Sequence, residues 1–232
     1  MKKPIVIAID GPSASGKGTL AKRIASHFSF PYLNTGALYR LVAFRVVVAK
    51  IDIKELEKFI PVLVKDISEN DLENEVLFTE EIGAVASIIA KNVKLRSALF
   101  DFQRKFISEG KKNNGGAVLD GRDTTTVICP NADFKFYIKA DVEIRARRRY
   151  DQLLNKGEKV EYQEILRQLK NRDNNDLNRR DSPLKVAAGA HVIDNGNLTI
   201  DEGLFKMLSI IGNSNSSFFS TLFSKIKFGN SL

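Results

Sequence analysis

In the run Ile9–Thr19, IDGPSASGKGT, four residues separate Gly11 from the pair Gly16–Lys17. Glycines at that spacing let a backbone wrap closely around an oxyanion, and the lysine can neutralise the outer phosphates of a triphosphate. The expected ATP-binding set is Gly11, Pro12, Ser13, Ala14, Ser15, Gly16, Lys17, Gly18 and Thr19. Such loops normally carry Ser or Thr directly after the lysine, where its hydroxyl holds Mg²⁺. Here that position is Gly18, and the hydroxyl arrives one place later on Thr19, facing the expected α-phosphate. Mg²⁺ is therefore expected on phosphates and waters, with no direct protein ligand. Asp10 and Asp120 are the acidic groups placed to orient those waters, which Mg²⁺ keeps readily.

The loop needs a strand before it and a helix after it, because free N–H groups and the dipole at a helix start favour phosphate. Pro4–Asp10 is a short β-branched run that reads as a buried parallel strand. Leu20, Ile24 and Phe28 then repeat at helical spacing, predicting a helix over Lys17–Phe28. Further strands are predicted at Pro31–Leu33, Ala117–Leu119, Phe134–Ile138 and His191–Asp194. Helices are predicted at Ala37–Lys50, Val142–Lys156, Tyr162–Asn171 and from about Thr199, where Thr199 and Glu202 have capping-box spacing. This alternation is that of an α/β fold with a parallel sheet covered on both faces. Ile51–Asn114 interrupts it as a charged, helical insertion.

Composition bounds the class. A chain of 232 residues with 43% hydrophobic and 28% charged residues suits one α/β domain with an insertion. The single cysteine, Cys129, allows no internal disulfide and fits a reducing, cytoplasmic setting. No secretory signal or membrane span is visible. The net charge of +8 suits small polyanions as well as nucleic acid. Aromatics for base stacking are scarce beside the arginine-rich segment, so a nucleic-acid partner is not expected. His27, His191 and Cys129 read as structural. Beyond Asn213–Ser217, the residues Phe219, Leu222, Phe223 and Ile226 mark an amphipathic stretch. It reads as a terminal helix or tail on its own domain, the alternative being membrane or partner contact.

The GKGT ending resembles the nucleoside monophosphate kinases. With IDGPSASGKGTLAKRIA stand LNTGALYR (Leu33–Arg40), LDGRDTTTV (Leu119–Val127) and LKNRDNNDLNR (Leu169–Arg179). Together these resemble the bacterial cytidylate kinases, from about Ile5 to Ile211. The resemblance implies a P-loop kinase three-layer fold with a central parallel sheet, an inserted monophosphate-binding subdomain and a short lid. It implies one domain over 1–212, the insertion at about 51–114, the lid at about 145–165, and an extension over 213–232. The implied reaction moves a phosphoryl group from ATP, with Mg²⁺, to CMP and dCMP in a monomer. A kinase for UMP or AMP, or a non-catalytic nucleotide- or RNA-binding protein, is the alternative.

Site residues follow. Arg40 and Arg122 are suited to grip the acceptor phosphate through paired bonds. Cytosine offers an amino donor and ring acceptors where uracil offers the reverse, so a carboxylate with an arginine selects it. By resemblance these are Asp123 and Arg96, with Ser87 adding a hydroxyl, and Thr35 also belongs to the monophosphate site. Arg172 and Asp176, four apart, flank the sugar by resemblance, and Arg179 lies near the base or phosphate. Arg145, Arg148 and Arg149 fit a lid closing over the transferred group, with Lys17, Arg40, Arg122, Arg148 and Arg149 as the catalytic set. Which lid arginine makes the contact is left open. Three departures from the family are visible. Thr35 stands for the usual serine, Thr125 for a glycine, and Lys65–Leu77 is short for the usual small insert sheet.

Overall fold

A computed structural model of the protein describes residues 3–213; the expected Phe-rich tail lies outside the described residues. The central sheet consists of β1 (Ile5–Asp10), β2 (Tyr32–Asn34), β3 (Gly116–Gly121), β4 (Phe134–Lys139) and β5 (His191–Asp194). Its order is β2-β3-β1-β4-β5, and every pairing is parallel. Alternation along β1 sends side chains to two separate cores. Ile5, Ile7 and Ile9 pack with α1 (Lys17–Phe28) and α8 (Ile200–Asn213). Val6 and Ala8 pack toward α2 (Thr35–Val48), α3 (Leu56–Leu63), α4 (Glu80–Ile89) and α5 (Val93–Asn114). The result is the expected three layers.

The insertion is helical, as its pattern predicts. Between α3 and α4 lie only two 3₁₀ turns, Asn70–Glu73 and Glu75–Phe78, with no strand among the described residues there. A third, small core forms where α6 (Val142–Asn155) pairs with α7 (Tyr162–Leu177) through Ala146, Leu153, Ile165 and Leu169. Among the boundaries that differ from the sequence pattern, two bear on the site. The Asn34 side chain accepts a bond from Ala37 N (3.1 Å), starting α2 at Thr35. The α7 helix runs past Asn171 to Leu177, so Arg172 and Asp176 are on one helix. The capping box at α8 forms as predicted, with Thr199 N donating to Glu202 Oε2 at 2.8 Å and Glu202 N to Thr199 Oγ1 at 3.2 Å.

Strand register positions the chemistry. Asp10 pairs with Gly121 and Asn34 with Asp120 at the carboxyl ends of β1, β3 and β2. The phosphate loop, the TGALYR segment and the DGRD turn therefore leave the sheet side by side. That is the crevice where ligands bind in open parallel sheets.

Candidate active site

The phosphate loop is held from several directions. A side chain at Gly11 would meet Ile138 O at 2.1 Å, and one at Gly16 (φ 87°) would meet Asn195 Nδ2 at 2.4 Å. Only glycine permits that approach. Asn195 Nδ2 donates to Ser15 O at 2.8 Å, and Arg145 Nη1 to Ser13 O at 3.1 Å. Lys17 is buried with Nζ 3.1 Å from Pro12 O. Burial, with Arg122 next in weight, brings its ammonium down from 10.5 to about 7 in the ligand-free protein. A phosphate arriving there supplies the missing countercharge.

A narrow cavity opens beside Lys17, and all nine residues expected to bind a monophosphate line it. Thr35 and Arg40 come from α2, Ser87 from α4, and Arg96 from α5. Arg122 and Asp123 follow β3, while Arg172, Asp176 and Arg179 come from α7 and the turn after it. With Lys17 the lining carries six cationic side chains against the three carboxylates Asp120, Asp123 and Asp176. That excess is the signature of an anion site.

Two buried pairs organise this cavity. Arg96 Nη2 bonds Asp123 Oδ2, with side chains 11% and 6% exposed. Arg122 Nε bonds Asp176 Oδ2 at 2.7 Å. Burial pushes Asp123 up, with Arg96 opposing it. Asp176 ends up low, because Arg122 and Arg172 overcome its burial. Burial opposes the charge on Arg122 too, yet Asp176 holds that guanidinium above its ordinary value. Arg40 falls to about 9 and Arg172 to about 10, chiefly through burial and then the repulsion of neighbouring arginines. Ser87 Oγ and Arg179 Nε and Nη2 are buried without partners among the described residues, leaving polar capacity for a ligand.

A wider cleft adjoins it, sharing Ser13, Gly18, Arg40 and Arg172, and is lined by Ala14, Gly16 and Thr19 of the loop. Gly11, Pro12 and Ser15 sit behind that surface. Arg149 reaches this cleft and is bound to Glu80 and Phe78 O of the insertion. Arg148 does not reach either opening. Its Nη2 donates to Asn195 O (2.7 Å) and Gly196 O (3.0 Å), beside the loop. Arg145 is buried against Asp173, at 2.5 Å. Of the three lid arginines, only Arg149 faces the cleft in this conformation.

Asp10, expected to orient the waters of Mg²⁺, is engaged instead by the turn after β3. All four acceptor positions of its carboxylate are taken, by Thr124 N (2.9 Å), Thr124 Oγ1, Thr125 N (2.8 Å) and Thr125 Oγ1 (2.5 Å). It is fully buried and not free to orient waters. Asp120 differs, because Tyr32 occupies only its Oδ1 (2.6 Å) and Oδ2 lies 3.8 Å from where a side chain at Gly18 would begin.

Several contributors escaped the sequence reading. Gly83 leaves room for Arg40, whose Nη1 donates to Leu77 O (2.6 Å) and Thr79 O (3.1 Å) over the Phe78 ring. Tyr39 lines the cavity against Arg96. Asn195 had no local signal, although it follows a predicted strand end as loop clamps often do.

A loop of this geometry on a parallel sheet, facing a cationic cavity, defines the class as a phosphate-loop kinase. Solved structures agree on the fold alone. A gluconokinase from Sinorhizobium meliloti matches at TM-score 0.50 and 13% identity, covering 95% of this chain and 99% of its own. An uncharacterized protein from Eubacterium ventriosum matches at TM-score 0.50 and 18% identity, covering 89% and 98%. The cytidylate kinase family profile matches residues 7–213. A cytidylate kinase of Bartonella tribocorum is 46% identical over 86% of this chain and 90% of its own length. One of Nitrobacter winogradskyi is 44% identical over 89% and 95%, and one of Rhodospirillum rubrum 39% over 89% and 97%. The chain belongs to the cytidylate kinase family.

Proposed function

We propose that this chain transfers the γ-phosphoryl group of ATP to CMP and dCMP, giving ADP and CDP or dCDP. The carrying observation is the buried Arg96–Asp123 pair in a cavity also lined by Lys17, Arg40, Arg122, Arg172 and Arg179. Cytosine donates its amino group to Asp123 and accepts from Arg96. Uracil brings an acceptor against the carboxylate and a donor against the guanidinium, and a buried polar site rejects such a mismatch strongly. Arg172 and Asp176 lie along the sugar in this reading, with Thr35 and Ser87 supplying hydroxyls and Arg179 a further cation.

The acceptor phosphate is already anionic at neutral pH, so transfer needs positioning and charge neutralisation rather than a general base. Arg40 and Arg122 hold the acceptor phosphate, while Lys17 meets the β- and γ-phosphates with its ammonium restored by them. Thr19 lies toward the α-phosphate. Arg149 leaves Glu80 for the transferred group when the lid closes, and Arg148 keeps the loop's flank in place. Mg²⁺ fits here through the open Oδ2 of Asp120, beside Gly18. When bound it would neutralise the developing charge on the phosphates. No cluster of three metal-ligating side chains exists among the described residues.

In this reading the enzyme acts as a monomer on free nucleotides, without a nucleic-acid partner. No described helix is long and apolar enough to cross a membrane. The test is ADP release with a panel of CMP, dCMP, UMP and AMP, with and without Mg²⁺. Turnover of CMP and dCMP well above UMP is expected. Equal rates on UMP would overturn the base assignment, and salt-sensitive RNA binding without turnover would overturn the enzyme.

A further inference from the structure

Asp10 lines neither cavity, yet it is the most heavily bonded carboxylate in the protein's functional half. It ends β1, directly before Gly11 of the phosphate loop. No ion pair among the described residues neutralises it, so its burial is sustained by hydrogen bonds alone. A buried carboxylate without a counterion is tolerable only when its acceptor positions are filled. The four donors that fill them all belong to Thr124 and Thr125, both buried. These are the two residues after Arg122 and Asp123.

The turn is pinned on its other side as well. Asp123 O accepts from Val127 N (2.9 Å) and Ile128 N (3.2 Å), and Thr124 O accepts from Cys129 N (2.7 Å). The backbone directly after Asp123 is thus held both by Asp10 and by the following turn, leaving the Asp123 side chain for Arg96 and the cavity. Thr125, the departure from glycine noted in the sequence, supplies two of the four bonds, one of them from the hydroxyl that glycine lacks.

We propose that Asp10 is the positioning residue for the monophosphate: by gripping Thr124 and Thr125 it sets where Arg122 and Asp123 stand relative to the phosphate loop. The inference rests on the reading of those two residues as contacts to the acceptor phosphate and base. It places the donor and acceptor sites in one rigid frame through a residue that touches neither nucleotide.

The test compares Asp10→Asn, Thr125→Val and Thr125→Ser in the full chain by thermal melting and steady-state kinetics with CMP, UMP and ATP. Asp10→Asn keeps the shape but turns an amide donor onto one backbone N–H and one threonine hydroxyl, since each Asp10 oxygen faces one of each. The monophosphate KM is expected to rise about tenfold or more, and the CMP-over-UMP ratio to fall, while the ATP KM stays within about twofold. Thr125→Val is expected to move the same quantities less, and Thr125→Ser to restore them. A lowered melting temperature with unchanged CMP KM and unchanged ratio would overturn the proposal, as would equal losses toward ATP and CMP. If Asp10→Asn does not fold, Thr125→Val decides: unchanged CMP kinetics overturn the proposal, and a raised CMP KM supports it. A wild-type chain without a CMP preference sinks the base assignment separately, and the clasp keeps its readout in the monophosphate KM.

Discussion

The acceptor cavity and the mouth of the donor cleft are built on opposite principles. In the cavity, Arg96–Asp123 and Arg122–Asp176 are buried pairs with every side chain 15% exposed or less. At the mouth, Arg149–Glu80 has side chains 19% and 42% exposed, and Lys156–Glu75 spans 3.9 Å at 51% and 92%. Buried charges hold one geometry because separating them leaves an uncompensated ion. Exposed pairs are interchangeable with water and worth little. On the proposed reading, the region that chooses the substrate is therefore set before it arrives, and the region that would close over the phosphates is held by bonds a phosphate can displace.

The largest break should come where the two regions meet. Lys17→Ala is expected to reduce CMP-dependent ADP release by on the order of 10³-fold, removing the phosphate-loop cation that lines the acceptor cavity. Within the cavity, Asp123→Asn should lower the CMP-over-UMP ratio of kcat/KM by about 10²-fold or more. The same ratio in the wild type should fall on acidification. Burial raises the Asp123 pKa, and the protonated carboxyl formed as pH drops through it can donate to uracil O4. A pH-independent ratio would detach Asp123 from base choice.

Stability separates the two regions more directly. Arg122→Met strands Asp176 in a buried site and is expected to cost about 3–5 kcal/mol in chemical denaturation. Glu80→Gln, at the mouth, should cost under about 1 kcal/mol. Comparable losses would erase the distinction. The smallest effect is a proton. Lys17 titrates near 7 in the free protein, so a bound non-hydrolysable ATP analogue at pH 8 should drive uptake of up to about one proton. Calorimetry in buffers of different ionisation enthalpy reads it. In the free protein the folded chain binds fewer protons than the unfolded one between pH 7 and 10.5. Lys17's contribution to stability therefore grows as pH rises through that window.

Much of the cavity was legible because its chemistry is concentrated in short runs. Gly11, Gly16 and Lys17, then Arg40, then Arg122 and Asp123, each follow within a few residues of a strand, inside a short run of recognisable chemistry. Arg96 and Ser87 were visible only by resemblance, since on helices of the insertion they look like any surface residue. Which lid arginine faces the cleft was not legible, because a run of arginines does not say how each is rotated. Helical rotation over Arg145–Arg149 sends one to Asp173, one to the Asn195–Gly196 carbonyls and one to the mouth.

Local pattern by itself determined the strand–loop–helix unit, the parallel alternation and the residue types that meet a phosphate, because those depend on periodicity and on dihedral freedom within a few residues. Only the tertiary structure decided what Asp10 does. Its position before Gly11 is equally consistent with orienting a metal's waters or with holding another turn. The choice fell to Thr124 and Thr125, 114 and 115 residues away, which β1–β3 pairing brings against it and which fill every acceptor it has. A carboxylate's role is set by its neighbours in space, and those are fixed by strand register rather than by its place in the chain.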